Sequence, residues 1–178
     1  MVSDARNRPV TTYLGLGGNQ GDPKAAFQAA IAMLGQDQST KVTAVSSLYR
    51  TPPWGKIDQP DFLNAVVAIE TGHTPRELLD LCLDIERRLK RLRLERWGPR
   101  LIDLDVLWFD DRVIDIPDLK VPHPRMLDRA FVMIPLAEIA PDLKFGAKTA
   151  AEIAATLPAD GIVIADGTPN WQLGAKSR

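Results

Sequence analysis

The sequence is poor in the features that would assign it to a specialised class of protein. A single cysteine, Cys82, occurs in 178 residues, which excludes an intramolecular disulfide and argues against zinc sites built on cysteines. Aromatic residues make up only 6%, and 22 Lys and Arg balance 23 Asp and Glu, for a formal net charge of -1. Bulk charge therefore indicates neither a nucleic-acid nor a membrane partner.

Long hydrophobic runs are also missing. No apolar stretch approaches the ~18 residues that a membrane-spanning helix needs, and the polar segment 1–9 lacks the apolar centre of a signal peptide. We therefore expect a cytoplasmic protein with one domain over residues 1–178. Its ends, residues 1–9 and about 167–178, are polar and are expected to form tails.

What the sequence does contain is an alternation of strand-like and helix-like segments. The connections near several strand ends are hairpin-short, which favours an α+β fold with a mainly antiparallel sheet. Helix starts are marked by Asp22 before Pro23, and by the capping boxes that open at Thr74 and Thr149. The predicted strands are 10–16, ending at the Gly17-Gly18-Asn19 turn, 42–49, 62–69 and 101–109, with a further helix around 126–139.

Two carboxylates share one face of the last predicted strand. In the alternating sequence LIDLDVLWF, Asp103 and Asp105 lie on the face opposite Ile102 and Leu104. At a rise of about 3.3 Å per residue they are roughly 7 Å apart along the backbone, so both can converge on a hard cation such as magnesium. The pattern alone also suits a solvated strand face.

A basic run just upstream favours the binding site over the solvated face. The C-terminal dipole of a helix explains the charges at the start of this basic run, but not those of Arg93, Arg96 and Arg100. These three arginines lie around the helix-breaking Trp97-Gly98-Pro99. Metal-binding acids beside arginines suggest phosphate groups. His123, held between two prolines, is a further donor that could reach a phosphate oxygen.

Several blocks of sequence together identify a family. The segment RWGPRLIDLD (96–105) closely resembles the 6-hydroxymethyl-7,8-dihydropterin pyrophosphokinases of folate biosynthesis. Matching blocks occur in the expected order at GLGGN (15–19), SLYRTPPWG (47–55), QPDFLNA (59–65) and VPHPRM (121–126), continuing to Arg129-Ala130-Phe131. One departure is Gly18, where a serine is usual in this family.

The resemblance implies a ferredoxin-like, three-layer α-β-α sandwich. It also implies a monomeric enzyme that uses ATP and two magnesium ions to form the pterin diphosphate and AMP, without a nucleic-acid or membrane partner. Carried onto matching positions, the implied metal ligands are Asp103 and Asp105, and the implied nucleotide-binding residues are Arg93, Arg100, His123 and Arg129. The implied pterin-binding residues are Thr51, Pro52, Trp54, Phe62, Asn64 and Phe131, and the implied catalytic residues are Arg93, Arg100, Asp103 and Asp105.

Three other functions use some of the same features. A different metal-dependent transferase with an Asp-x-Asp pair would also hold a diphosphate, but it gives no reason for Phe62, Asn64 and Phe131. An RNA-binding module could use the arginine run, although the chain has few aromatics and no net positive charge. A pterin-binding homologue without activity would contain the same acids, arginines and pterin-binding residues.

Overall fold

The computed structural model describes residues 8–53, 58–91 and 101–174. The strands are β1 (Val10–Gly18), β2 (Thr40–Val45), β3 (Leu48–Thr51), β4 (Phe62–Thr71), β5 (Asp103–Phe109), β6 (Ile114–Ile116), β7 (Leu119–Val121), β8 (Lys144–Phe145), β9 (Lys148–Thr149) and β10 (Val163–Asp166). The helices are α1 (Pro23–Gln36), α2 (Pro75–Arg91), α3 (Ala130–Ile139) and α4 (Ala150–Thr156), with short 3-10 helices at Met126–Asp128 and Trp171–Leu173. Within these ranges no helix is long and apolar enough to cross a membrane.

Six strands form the main sheet, in the order β10-β3-β4-β1-β5, with β2 also paired to β4. All of these pairings are antiparallel, which confirms the predicted sheet. β1 lies between β4 and β5, so its residues have a neighbour on both sides. β6 with β7 and β8 with β9 form two separate hairpins.

Alternation along the strands divides the core into two parts. Leu14 of β1 and Leu104 of β5 pack with α1 and α2 on one face of the sheet. Val66 of β4 and Leu107 of β5 pack with α3 and α4 on the other. The result is the predicted α-β-α sandwich. Cys82 belongs to the buried stripe of α2, where burial raises the pKa of its thiol to about 12.

The helix starts confirm the capping residues predicted from the sequence. Asp22 accepts a hydrogen bond from Ala25 N at 3.1 Å, ahead of α1. Thr149 and Glu152 form a reciprocal box at α4, with N···O distances of 2.7 and 3.2 Å, and Thr74 and Glu77 do the same before α2. Each cap satisfies amide groups that have no partner inside the helix.

Some boundaries differ from the prediction. β1 continues through Gly18 instead of ending before the glycines, because β4 pairs with Gly17 and Gly18 and β5 pairs with Gly17. The predicted strand 42–49 is divided at Ser46, whose hydroxyl accepts a hydrogen bond from Val66 N at 2.9 Å. The predicted helix 126–139 is also divided, because Arg129 is extended (φ -110°, ψ 105°) and α3 starts after it.

The expectation of a polar tail from about residue 167 does not hold for residues 167–174. Trp171 is 6% exposed and belongs to the core beside α1. Its indole Nε1 donates to Ser46 O at 2.8 Å, and Gln28 Nε2 donates to its carbonyl at 2.7 Å. One buried apolar residue in a mostly polar segment gives no periodic signal, which is why the pattern missed it.

Replacing Thr149 tests the cap of α4. We expect Thr149→Ala to lower the free energy of unfolding by about 1 kcal/mol, because the Glu152 amide at the start of α4 loses its acceptor. Thr149→Ser keeps a hydroxyl oxygen and should retain most of the stability. Urea denaturation of the two variants and the parent measures this, and equal losses in both variants would contradict the role of the cap.

Candidate functional site

A large cleft lies on the face of the sheet that carries α3. Its volume is ≈ 1050 Å³, within the order of size that two small ligands would require. The sequence-predicted site residues that line it are Thr51, Pro52, Phe62, Asn64, Asp103, Asp105, His123, Arg129 and Phe131. Arg93, Arg100 and Trp54 lie outside the described residues.

At the base of the cleft β1 contributes no side chain at two alternate positions, because both are glycines. Gly17 pairs with Asn64 on one side and Asp103 on the other, and Gly15 pairs with Asp105. A Cβ atom on Gly17 would lie 3.4 Å from the Asn64 amide oxygen. Gly15 and Gly17 are here called the glycine floor. The Leu107 side chain packs over Gly15, where a Cβ atom would lie 3.3 Å from Leu107 Cδ2, and the space above Gly17 lies between Asn64 of β4 and Asp103 of β5.

The sequence pattern predicts a turn at the glycines around residue 17 and does not reveal the floor. Its signal was available, because glycine at alternate positions of a predicted strand often marks close approach of another molecule or backbone. What the sequence could not supply was the identity of the neighbouring strands. Only the order β4-β1-β5 places an amide and two acids on either side of the glycines.

Asp103 and Asp105 line the cleft from β5, as the alternation predicts. Between them Leu104 is only 4% exposed and faces the core, so the two carboxylates share the open face of the strand. Asp103 is half-buried and Asp105 is exposed. This arrangement places two carboxylate groups side by side.

A third acid, Glu86 of α2, supports this strand from behind. Its Oε1 accepts a hydrogen bond from Leu104 N at 2.7 Å, and its side chain is only 13% exposed. Among the residues that the structure describes, β5 is the last strand on this side of the main sheet, so a side chain supplies the acceptor that a further strand would provide. Burial raises the pKa of Glu86, and the charges of Asp103 and Asp105 raise it further. No sequence pattern indicates this role, because Glu86 belongs to a run of charged helix residues.

His123 and Arg129 also line the cleft. His123 N donates to Leu107 O at 2.9 Å, which ties this segment to β5. The His123 Nδ1 accepts from Arg125 N at 3.3 Å, so a neutral ring carries its proton on Nε2. Burial lowers the pKa of His123. The positive charges of Arg129 and Arg125 lower this pKa further, whereas the negative charge of Asp105 raises it. The imidazole is therefore a neutral donor at pH 7.

The aromatic residues of the cleft differ from those of the core. Phe27 and Phe109 are at most 1% exposed, whereas Phe62 and Phe131 are only half-buried and line the cleft. The guanidinium carbon of Arg129 lies 5.6 Å from the centre of the Phe131 ring, a cation–π distance. Two open aromatic rings suit a flat ligand better than they suit core packing.

Asn64 is fixed by a hydrogen bond to the neighbouring strand. Its Nδ2 donates to Thr51 Oγ1 at 2.9 Å, and both residues are buried. This bond directs the amide, so that its oxygen lies beside Gly17 at the base of the cleft. A buried amide of fixed orientation can hydrogen-bond the edge of a heterocycle.

The acid pair fits a magnesium ion. Among the described residues, no group of three or more His, Cys, Asp and Glu side chains is placed to hold a metal. Two carboxylates are nevertheless the usual protein contribution to magnesium, which keeps water molecules and takes substrate phosphate oxygens as its other ligands. The donor set therefore suits a metal bound together with a phosphorylated substrate.

Comparisons with known proteins agree on one family. A model of the 7,8-dihydro-6-hydroxymethylpterin-pyrophosphokinase family matches residues 13–141. The chain is 50% identical over 150 residues to a 2-amino-4-hydroxy-6-hydroxymethyldihydropteridine pyrophosphokinase of Methylorubrum extorquens, covering 84% of this chain and 95% of the relative. Its counterpart in Pseudomonas aeruginosa is 44% identical over 151 residues, covering 84% of this chain and 93% of the relative.

Solved structures show the same fold. A crystal structure of a Plasmodium falciparum HPPK-DHPS triple mutant superposes with a TM-score of 0.68 over 86% of this chain, at 17% sequence identity. A second, of the A437G variant of that protein, gives a TM-score of 0.69 over 85% of this chain, also at 17% identity. The chain spans 44% and 46% of those longer proteins.

Replacing Glu86 tests its support of β5. We expect Glu86→Ala to lower the free energy of unfolding by roughly 1–3 kcal/mol, because the Leu104 amide loses its acceptor. Glu86→Gln keeps an acceptor oxygen and should lose clearly less, while Asp80→Ala, at an exposed acid of the same helix, serves as the control. Chemical denaturation measures the free energy of unfolding of each variant. If Glu86→Ala is as stable as Asp80→Ala, the proposed support is absent.

Proposed function

The chain belongs to the 7,8-dihydro-6-hydroxymethylpterin-pyrophosphokinase family, and on that premise we propose what its cleft does. It transfers the pyrophosphoryl group of ATP to the hydroxymethyl group of 6-hydroxymethyl-7,8-dihydropterin, giving the pterin diphosphate and AMP in folate biosynthesis. One observation carries the proposal for this chain. The glycine floor joins an aromatic and amide pocket to an acid pair within a single cleft.

Asp103 and Asp105 are the ligands of magnesium in this proposal, with two ions per active site. Magnesium supplies charge neutralisation on the triphosphate of ATP. The carboxylates face the cleft from a strand that is held in place by Glu86, so their positions are set before the substrates bind. Ligands that need no rearrangement stabilise developing charge most effectively.

The phosphates are held by His123, Arg129, Arg93 and Arg100. His123 donates through Nε2, the ring nitrogen that its hydrogen bond from Arg125 leaves available. Arginine suits this task because its planar fork donates two hydrogen bonds to one phosphate. The adjacent Phe131 ring stabilises the guanidinium of Arg129 in the cleft.

The pterin ring occupies the opposite end of the cleft. Phe62 and Phe131 stack on its two faces, Asn64 hydrogen-bonds its edge, and Thr51, Pro52 and Trp54 complete the pocket. The open aromatic rings and the fixed Asn64 amide support this placement. Stacking and edge contacts together select a flat, polar-edged ring over a sugar or a peptide.

The reaction is an in-line displacement at the β-phosphorus. The pterin hydroxyl oxygen forms a bond to that phosphorus, the bond from phosphorus to the oxygen shared with the α-phosphate breaks, and AMP leaves with the electron pair. The hydroxyl proton passes to solvent water. The protein contributes by bringing both substrates together and by neutralising charge with its arginines and metal-binding acids.

We further propose that one domain carries out the reaction as a cytoplasmic monomer, with no nucleic-acid partner. The near balance of 22 basic and 23 acidic residues gives no basic bias for nucleic acid. The only cysteine is buried in α2, which suits a reducing compartment.

The product of the reaction tests the proposal. Purified protein is incubated with ATP, magnesium and the hydroxymethyl pterin, and ³¹P NMR follows the nucleotides, with a sample lacking pterin as the control. We expect AMP and a pterin diphosphate only when the pterin is present. ADP would indicate single phosphoryl transfer, and binding of the pterin without turnover would indicate an inactive homologue. Either result contradicts the proposal.

Removing either metal-binding acid should stop catalysis without unfolding the protein. We expect Asp103→Ala and Asp105→Ala to lower kcat by at least about a hundredfold, because several kcal/mol of charge stabilisation is lost. Asp115→Ala, at an exposed acid of β6, is the matched control and should remain fully active. Near-normal turnover in either active-site variant would refute the metal role.

Removing the Phe131 ring should affect the pterin more than the nucleotide. We expect Phe131→Leu to raise the Kd for the pterin about two- to tenfold, which corresponds to the ~0.5–1.5 kcal/mol of an aromatic stack. Phe131→Tyr keeps the ring and should bind normally. Fluorescence titration of the pterin and of an ATP analogue compares the two losses, and equal losses would count against stacking.

A further inference from the structure

Residues 158–171, here called the C-terminal strap, form one side of the cleft. Pro158, Asp160 and Ile162 line it directly. The strap then continues as β10 along the outer edge of β3 and ends at the buried Trp171. It lies beyond residues 13–141, the range that the family model matches. The residue roles proposed above do not include it.

The strap is fixed at several points to the rest of the fold. β10 pairs with β3, with Val163 opposite Arg50. Lys24 of α1 binds Asp166 at 2.7 Å, and this contact lowers the pKa of Asp166 to about 2, so the Asp166 carboxylate stays ionised at neutral pH. Trp171 anchors the last residue of the strap by donating a hydrogen bond to Ser46 O at 2.8 Å. These contacts hold the strap in one place relative to β3.

Gly161 brings the strap into contact with the cleft wall. Extending the β10–β3 register by two residues places Gly161 opposite Pro52. Gly161 has a φ of +78°, and a Cβ atom there would lie 2.6 Å from Pro52 Cγ and 3.1 Å from Pro52 Cδ. The proline ring cannot rotate away, since it is closed on its own backbone. Only glycine therefore permits this approach.

Pro52 is linked through its chain neighbour Thr51 to the Asn64 amide at the base of the cleft. Pro52 follows Thr51, and Thr51 Oγ1 accepts the hydrogen bond that orients Asn64. A shift of Pro52 would therefore move the acceptor of Asn64 as well as the proline itself. Thr51, Pro52 and Asn64 all line the cleft.

We propose that the C-terminal strap is a positioning element for the pterin, and that Gly161 sets the position of Pro52 and, through Thr51, of Asn64. The inference rests on the proposed function, because it takes the pterin as the ligand at this end of the cleft. The nucleotide end, with Asp103, Asp105 and His123, is carried by other elements. A disturbed strap should therefore weaken pterin binding and leave nucleotide binding intact.

A pair of glycine substitutions tests this. Gly161→Ala forces a side chain against Pro52, whereas Gly146→Ala is a matched control, since Gly146 has a similar φ of +64° and a Cβ there would meet nothing within 4 Å. Both variants carry the cost of an L-residue at positive φ. Pterin fluorescence gives the Kd for the pterin in the presence of magnesium and a non-hydrolysable ATP analogue. Calorimetry gives the Kd for the analogue.

We expect Gly161→Ala to raise the Kd for the pterin roughly tenfold, since misplacing a binding group by about 1 Å has large effects. The Kd for the analogue should change less than twofold, and Gly146→Ala should change neither. If wild-type protein binds the pterin and Gly161→Ala matches Gly146→Ala, the strap proposal is overturned while the proposed function stands. If wild-type protein does not bind the pterin, the proposed function fails first, and the strap proposal fails with it.

A second variant covers the case in which Gly161→Ala does not fold. Trp171→Phe keeps an aromatic ring in the core but removes the donor to Ser46 O. Looser anchoring of the strap should raise the Kd for the pterin severalfold and leave the Kd for the analogue unchanged. An unchanged Kd for the pterin, or an equal loss for both ligands, overturns the proposal.

Discussion

The whole site depends on the absence of side chains from one stretch of one strand. In the described sheet β1 lies between β4 and β5, and at Gly15 and Gly17 it places no side chain on the cleft face. Adjacent strands lie about 4.8 Å apart, so Asn64 on β4 and Asp103 on β5 belong to backbones roughly 10 Å apart. In the proposed function, the hydroxymethyl group of the pterin meets the phosphates across that gap. Larger side chains there would separate the ring pocket from the acids.

The acids themselves depend on an edge strand that is supported from outside. An unsupported edge strand is free to twist or fray, and its unpaired amide groups attract other chains. Here α2 lies behind β5, and Glu86 bonds to the amide of the residue between the two acids. The pKa of Glu86 is raised by burial and by the nearby negative charges of Asp103 and Asp105. In the proposed function, a cation bound at the acid pair would relieve the crowding of these negative charges and would thereby couple metal binding to fold stability.

Local sequence was enough to predict features that are themselves local. Thr74 with Glu77 and Thr149 with Glu152 cap helices through contacts three residues apart, and the alternation around Leu104 places Asp103 and Asp105 on one face. Features that depend on distant partners were not predictable in this way. Glu86 acquires its role from Leu104, and Trp171 from Ser46 and Gln28. Gly15 and Gly17 form a floor only once β4 and β5 are known to flank them.

The central claim is that the acid pair and the pterin pocket meet across the glycine floor, and paramagnetic relaxation tests it most directly. Mn²⁺, which accepts the same carboxylate ligands as Mg²⁺, replaces it in a complex with an ATP analogue and a pterin labelled with ¹³C at the hydroxymethyl carbon. We predict strong relaxation enhancement at that carbon, since the metal ligands and the pocket lie roughly 10 Å apart across β1. The enhancement should vanish when Asp105 is replaced by Ala. Relaxation no faster in the wild-type complex than in that variant would contradict the account.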